Sequence, residues 1–130
     1  MSYCSKIYIV DKTGQPNWNI NKYYAKILCV FNLDNVTLEF EDWLHKQKPT
    51  DHYVYMDDGD TPILEDCYGE PLREINLRLL RDELQNEIER RGPRYINNNL
   101  LHALAEGVIP MFMDKYYENC DQYVALHYGY

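Results

Sequence analysis

Several signatures that would settle a function are missing from this 130-residue chain, and each absence excludes something. No run of 18 apolar residues occurs, which excludes a membrane-spanning helix. The opening Met-Ser-Tyr-Cys-Ser-Lys lacks the apolar stretch of a signal peptide, so a cytoplasmic setting is expected. Cys4, Cys29, Cys67 and Cys120 are far apart and form no Cys-x-x-Cys, which argues against a disulfide framework. Together with His45, His52, His102 and His127 they show no zinc-ligand spacing, so buried reduced thiols and no metal are expected. There is no Gly-x-Ser-x-Gly, P-loop, dinucleotide fingerprint or His-Glu-x-x-His, so no catalytic residue and no cofactor is assigned. Arginine is absent before Arg73.

What remains is the composition of a folded domain. The hydrophobic fraction is 45%, and low-complexity tracts are lacking, so residues 1–130 read as a single globular domain with one core. The net charge of −8 opposes direct binding to a phosphate backbone and suits a basic protein partner. Thirteen tyrosines are many for this length. Two readings stand side by side: interface residues with wide amphipathic contact area, or rings half-buried on sheet faces.

Along the chain, Tyr3 to Val10 is rich in β-branched and aromatic residues and meets Asp11-Lys12-Thr13-Gly14, a strand followed by a turn. Trp18 in its polar loop is expected to anchor onto the core. Residues 21–31 are ambiguous: Tyr24, Ile27, Leu28 and Phe31 recur at helical spacing, while Ile27 to Phe31 also suits a buried strand. Helix is the expectation from length. Residues 36–45 are ambiguous in the same way, and Pro49 ends them. Tyr53 to Leu64 reads as a hairpin around Asp58-Gly59, with Pro62 placing the return strand at an edge. Leu72 to Arg91 is an expected helix, with Leu77, Leu80, Leu84 and Ile88 on one stripe and pairs Glu74–Arg78 and Glu87–Arg91. All six arginines fall in this segment and its exit, interleaved with acids that neutralise most of them. Val124, Leu126 and Tyr128 alternate in a terminal strand, to be paired with the first strand or the hairpin.

The most apolar stretch is Asn98 to Glu118. Leu100, Leu101, Leu104 and Val108 mark a helix that Gly107 and Pro110 should end or kink, with a second helix restarting near Met111. His102 lies one position off the apolar stripe, as a packed, hydrogen-bonded side chain rather than a base. Over residues 99–114 this stretch resembles a segment of the Ocr-type antirestriction proteins of T7-like phages. There an apolar-His-x-x-Ala-acid-x-x-Val-Pro-x-aromatic helix turns into a second one. The matching residues are His102, Ala105, Glu106, Ile109, Pro110 and Phe112. Those proteins mimic DNA, so the resemblance implies an anti-defence role by mimicry.

These readings converge on an α+β domain: a small antiparallel sheet of the first strand, the Tyr53–Leu64 hairpin and the last strand, packed on helices near residues 21–31, 72–91 and 98–119. The expected function is that of a phage or mobile-element inhibitor of a host nucleic-acid-targeting defence system, of anti-CRISPR or antirestriction type, in the host cytoplasm. It would bind a basic effector such as a CRISPR nuclease or restriction enzyme, without direct nucleic-acid or membrane contact, and a homodimer is compatible. The expected contact surface is Asp57, Asp58, Asp60, Glu65, Asp66 and Glu70, six acids without a base among them. Two alternatives are an immunity protein that neutralises a basic nuclease toxin and a small enzyme of unassigned reaction.

Overall fold

The computed structural model describes residues 5–33, 36–55, 59–92, 101–118 and 122–129. At its centre two strands from opposite ends of the chain lie antiparallel: β1 (Ser5–Asp11) and β9 (Tyr123–Gly129), in register from Ser5–Gly129 to Asp11–Tyr123. On the far side of β1 lies β4 (Lys26–Asn32); beyond β9 lie β8 (Arg73–Ile75) and β5 (Lys48–Pro49). The order β4-β1-β9-β8-β5 is antiparallel throughout. A second sheet joins β2 (Pro16–Asn17), β3 (Lys22–Tyr24), β6 (His52–Tyr55) and β7 (Pro62–Ile63) in that order. Its β3–β6 pair is parallel.

Helices cover one face of the larger sheet and the second sheet covers the other, following the two-residue alternation of β1. Ile7 and Ile9 enter the helix-side core, whereas Tyr8 and Val10 enter the core between the sheets. The helix-side core takes Phe40 and Leu44 from α1 (Leu38–His45), and Leu77, Leu80 and Leu84 from α2 (Leu77–Arg91). The expected α+β class is therefore the observed one, and the stripe on α2 is the one anticipated.

Four expectations need correction. The segment read as a helix over residues 21–31 is strand at Lys22–Tyr24 and Lys26–Asn32, with Asn21 in the turn before them. The segment is one extended run that bends at buried Ala25, whose N–H donates to the Tyr53 carbonyl at 2.8 Å, and so passes from the small sheet into the large one. Beyond the bend, pairing jumps from Val10–Ile27 to Ile9–Cys29, leaving Leu28 as an extra residue. That bulge lets the adjacent Leu28 and Cys29 both face the helix-side core, with Ile27 on the opposite side, which imitates helical spacing. Second, residues 72–76 are not helical: β8 occupies Arg73–Ile75, and Asn76 caps α2 by accepting from Arg78 N–H at 2.9 Å. Glu74 therefore pairs with Lys12 at 3.1 Å, the strand geometry having removed it from the helical spacing that would bring Arg78 near.

Third, the Tyr53–Leu64 hairpin forms, with Pro62 on an edge strand as expected, but belongs to the second sheet. Its partner there is β3, delivered by the bend at Ala25, and β8 takes the place beside β9. Fourth, Gly107 and Pro110 do not break the chain's helical path. A π-helical segment, Ala103–Val108, leads directly into α3 (Ile109–Glu118), and Ile109 N–H reaches back five residues to the Leu104 carbonyl. In an α-helix the Pro110 ring would press on the carbonyl of Glu106. Widening the turn relieves that conflict, and Pro110 enters α3 in its first turn, where its missing donor costs little. Leu101, Leu104, Ile109 and Phe112 stay buried along one side. Asn98 and Leu100, read as the start of this helix, lie outside the described residues.

One buried carboxylate ties the helices together. Glu87 on α2 is fully buried and accepts from the backbone N–H of Thr37 at 2.7 Å and from the Thr37 hydroxyl. Thr37 is the N-cap of α1, and Arg90 pairs with the same carboxylate at 3.2 Å. Removing one partner of a buried charged network leaves the others unpaired. Glu87→Ala is expected to cost roughly 3–5 kcal/mol in urea unfolding, and the more peripheral Glu83→Ala below about 1 kcal/mol. Equal losses would show that Glu87 has no special standing.

Candidate functional site

The loop between β7 and β8 carries half of the anticipated acidic surface, Glu65, Asp66 and Glu70, and its shape follows from one aspartate. Asp66 Oδ1 accepts from the backbone N–H groups of Tyr68 at 2.8 Å and Glu70 at 3.0 Å. The Asp66 N–H donates to the Glu70 carbonyl at 2.8 Å, and Gly69 turns the chain at φ +81°. A bridge between Glu65 and Pro71 closes the base. Asp66 is thus half-buried and consumed in holding the turn, while Asp60, Glu65 and Glu70 are exposed. Tyr68 at the tip is 51% exposed. Asp57 and Asp58 lie outside the described residues.

A polar cavity of about 170 Å³ lies against this turn, lined by Asp66, Glu70, Arg73, His45 and His127 among others. Arg73 is held by donating from Nη1 to the Gln47 carbonyl at 2.7 Å. His127 is 2% exposed, and its Nε2 lies 2.9 Å from Ser5 Oγ. Burial, and then the nearby His45 and Arg73 against an opposing pull from Asp66, bring His127 down to about 4. The imidazole is therefore neutral at neutral pH. A serine hydroxyl against a neutral imidazole is the pairing of an activated nucleophile. Ser5 is itself buried and does not line the cavity, so this contact ties β1 to β9 rather than presenting a nucleophile. A groove of about 500 Å³ is lined by Lys6, Tyr8 and Tyr128 of the large sheet and by Ile63, Glu65 and Asp66.

A third cluster bears on metal binding. Ligand atoms of Asp51, His52 and Glu74 lie within 4.8 Å of one another. The set has ligand types that zinc accepts. Each ligand already has a partner: His52 Nδ1 lies 2.6 Å from Asp51 Oδ1, and Glu74 accepts from Lys12 at 3.1 Å and from the Thr50 hydroxyl at 3.0 Å. A cation would have to displace the Lys12 ammonium, so the geometry is that of a self-neutralised network.

Trp18 does not anchor onto the core; at 86% it is the most exposed large apolar side chain described, held out by the turn between β2 and β3. Cys29 is half-buried and Cys67 exposed, so neither is the fully buried thiol anticipated, and Cys4 and Cys120 lie outside the described residues. His102 is surface-lying, with Nδ1 3.3 Å from Glu106. The tyrosines divide: Tyr8 and Tyr53 are buried, whereas Tyr23 and Tyr68 are exposed. Among the arginines, Arg90 pairs with Glu83 and Glu87, and Arg81 with Asp82; the side chain of Arg91, expected to pair with Glu87, lies outside the described residues.

Comparison of the chain with protein families, characterised proteins and solved structures finds no match. No helix among the described residues is long and apolar enough to cross a membrane.

The state of His127 has a measurable consequence. Above pH 6.5 neither the folded nor the unfolded chain holds a proton on this ring. Between 6.5 and about 4 the unfolded chain takes one up and the folded chain does not. Stability then falls as pH falls, by up to roughly 3 kcal/mol from this residue. Urea unfolding at a series of pH values is expected to show that slope, and His127→Gln to flatten it. An unchanged slope in the variant would assign the acid sensitivity to other groups.

Proposed function

We propose that this chain is a protein-binding inhibitor of a host nucleic-acid-targeting defence system, of anti-CRISPR or antirestriction type. Its acidic loop would take the place of phosphates on a basic partner. The observation that carries this reading is the charge map. Between Lys48 and Arg73 there are acids at Asp51, Asp57, Asp58, Asp60, Glu65, Asp66 and Glu70, and neither lysine nor arginine. In the described part of this stretch, a turn built by Asp66 holds Glu65 and Glu70 outward beside an exposed tyrosine. A preorganised carboxylate pair loses little entropy on meeting arginine or lysine side chains, and Tyr68 adds apolar contact between the charges. The resemblance of residues 99–114 to Ocr-type proteins supports the same class.

The reading favours a protein partner over nucleic acid, because this surface repels phosphate, and Arg81 and Arg90 on α2 are already paired with acids. A tagged chain is expected to retain a nuclease effector from a lysate expressing restriction and CRISPR systems, with loss at high salt and competition by DNA. The double variant Glu65→Lys, Glu70→Lys leaves the Asp66 turn in place. It is expected to bind that effector at least roughly tenfold more weakly, with an unchanged thermal midpoint. Full affinity in the double variant would remove this loop from the interface, and capture without DNA competition would remove mimicry.

A further inference from the structure

The two sheets have four edges among the described residues, and three are blunted by the same device. β2, β5 and β7 are each two residues long, and each contains a proline: Pro16, Pro49 and Pro62. Proline offers no N–H, and a short edge gives an incoming strand little to pair with. The fourth edge, β4, is different. It runs for seven residues, Lys-Ile-Leu-Cys-Val-Phe-Asn, with neither proline nor glycine and with one charge, at its first residue. Its outward backbone groups follow from the ladder. Leu33 N–H donates inward to the Ser5 carbonyl at 2.9 Å. Inward and outward groups alternate in an antiparallel pair, so Phe31 and Cys29 also face β1, while Asn32 and Val30 turn their backbone groups away from it. The Val30 side chain is 50% exposed.

We propose that β4 is the interface of a homodimer, two copies pairing antiparallel about a two-fold axis at Val30. The strand is complementary to its own reverse at that point. Val30 meets Val30, Cys29 meets Phe31, and Leu28 meets Asn32, so no like charges oppose one another in the paired span. A two-fold contact of this kind uses one patch on both subunits and closes on itself, which limits assembly to two copies. It joins the two five-stranded sheets edge to edge, and half-exposed Val30 becomes covered by its copy. The other edges remain capped, which explains why protection is missing at one edge alone.

Sedimentation velocity of the full chain over a concentration series tests this. The expected result is a monomer–dimer equilibrium that shifts toward the dimer as concentration rises. Val30→Pro copies the device of the other edges, removing an outward donor without touching a β1 bond. Val30→Lys sets two ammonium groups face to face on the axis. Both variants are expected to sediment as monomers, with an unaltered circular dichroism spectrum. Should Val30→Pro misfold, Val30→Lys carries the test alone. A wild-type chain that is monomeric at every concentration, or a dimer that survives the lysine substitution, overturns the proposal. A monomer would leave the edge to an extended segment of another protein.

Discussion

Everything in this fold hangs on the pairing of β1 with β9. These strands come from opposite ends of the chain and form the middle of the five-stranded sheet, so both faces of the pair are buried. Ile7, Ile9 and Ala125 face the helices; Tyr8, Val10, Val124 and Leu126 face the second sheet. A register slip of one residue would exchange the two sets and set Tyr8 against the tightly filled helix side. The pairing closes a loop of nearly the whole chain, which makes it entropically expensive to form. The Ser5–His127 contact adds a side-chain tie across the same two strands.

Polar groups do the fastening between layers. Glu87 joins α2 to the cap of α1, Arg73 reaches from β8 to the Gln47 carbonyl, and Glu74 gathers Lys12 and Thr50. Each carboxylate in these networks meets more than one donor, which is the condition for burying charge without a large penalty. On the loop after β7, by contrast, Glu65 and Glu70 are exposed on either side of the Asp66 turn. That partition separates a structural set of charges from a presented one. The Asp66 turn belongs to both, since its side chain is spent on backbone donors while its neighbours point outward.

Aromatic residues show the same partition. Tyr24, Tyr53 and Tyr55 pack with ring centroids 5.2–5.7 Å apart, a local cluster that stiffens the small sheet. The Tyr53 and Tyr55 hydroxyls lie 3.3 Å apart, and that hydrogen bond raises the Tyr55 phenol above its ordinary range. Trp18, Tyr23 and Tyr68 stay outside these clusters and remain exposed. A small sheet can hold only so many rings against its core face, and the surplus lies at the surface, Tyr23 beside His52 with ring centroids 5.5 Å apart.

Local sequence determined those elements whose signal is complete within one segment. The alternation of Val124, Leu126 and Tyr128, the stripe of Leu77, Leu80 and Leu84, the edge position of Pro62 and the lack of lysine or arginine between Lys48 and Arg73 could all be read directly. Tertiary structure decided the rest. Residues 22–24 and 26–31 are strand, and a bulge that turns both Leu28 and Cys29 to the helix-side core gave their apolar residues a helix-like spacing. Pro110 stayed within a helical path because a π turn made room for its ring. The cavity of His45, Asp66, Arg73 and His127 had no sequence signal at all, since its residues are distant in the chain and no motif spacing links them. A spacing rule sees neighbours along one element; residues that meet only when sheets stack are set by packing, and packing is a property of the whole chain.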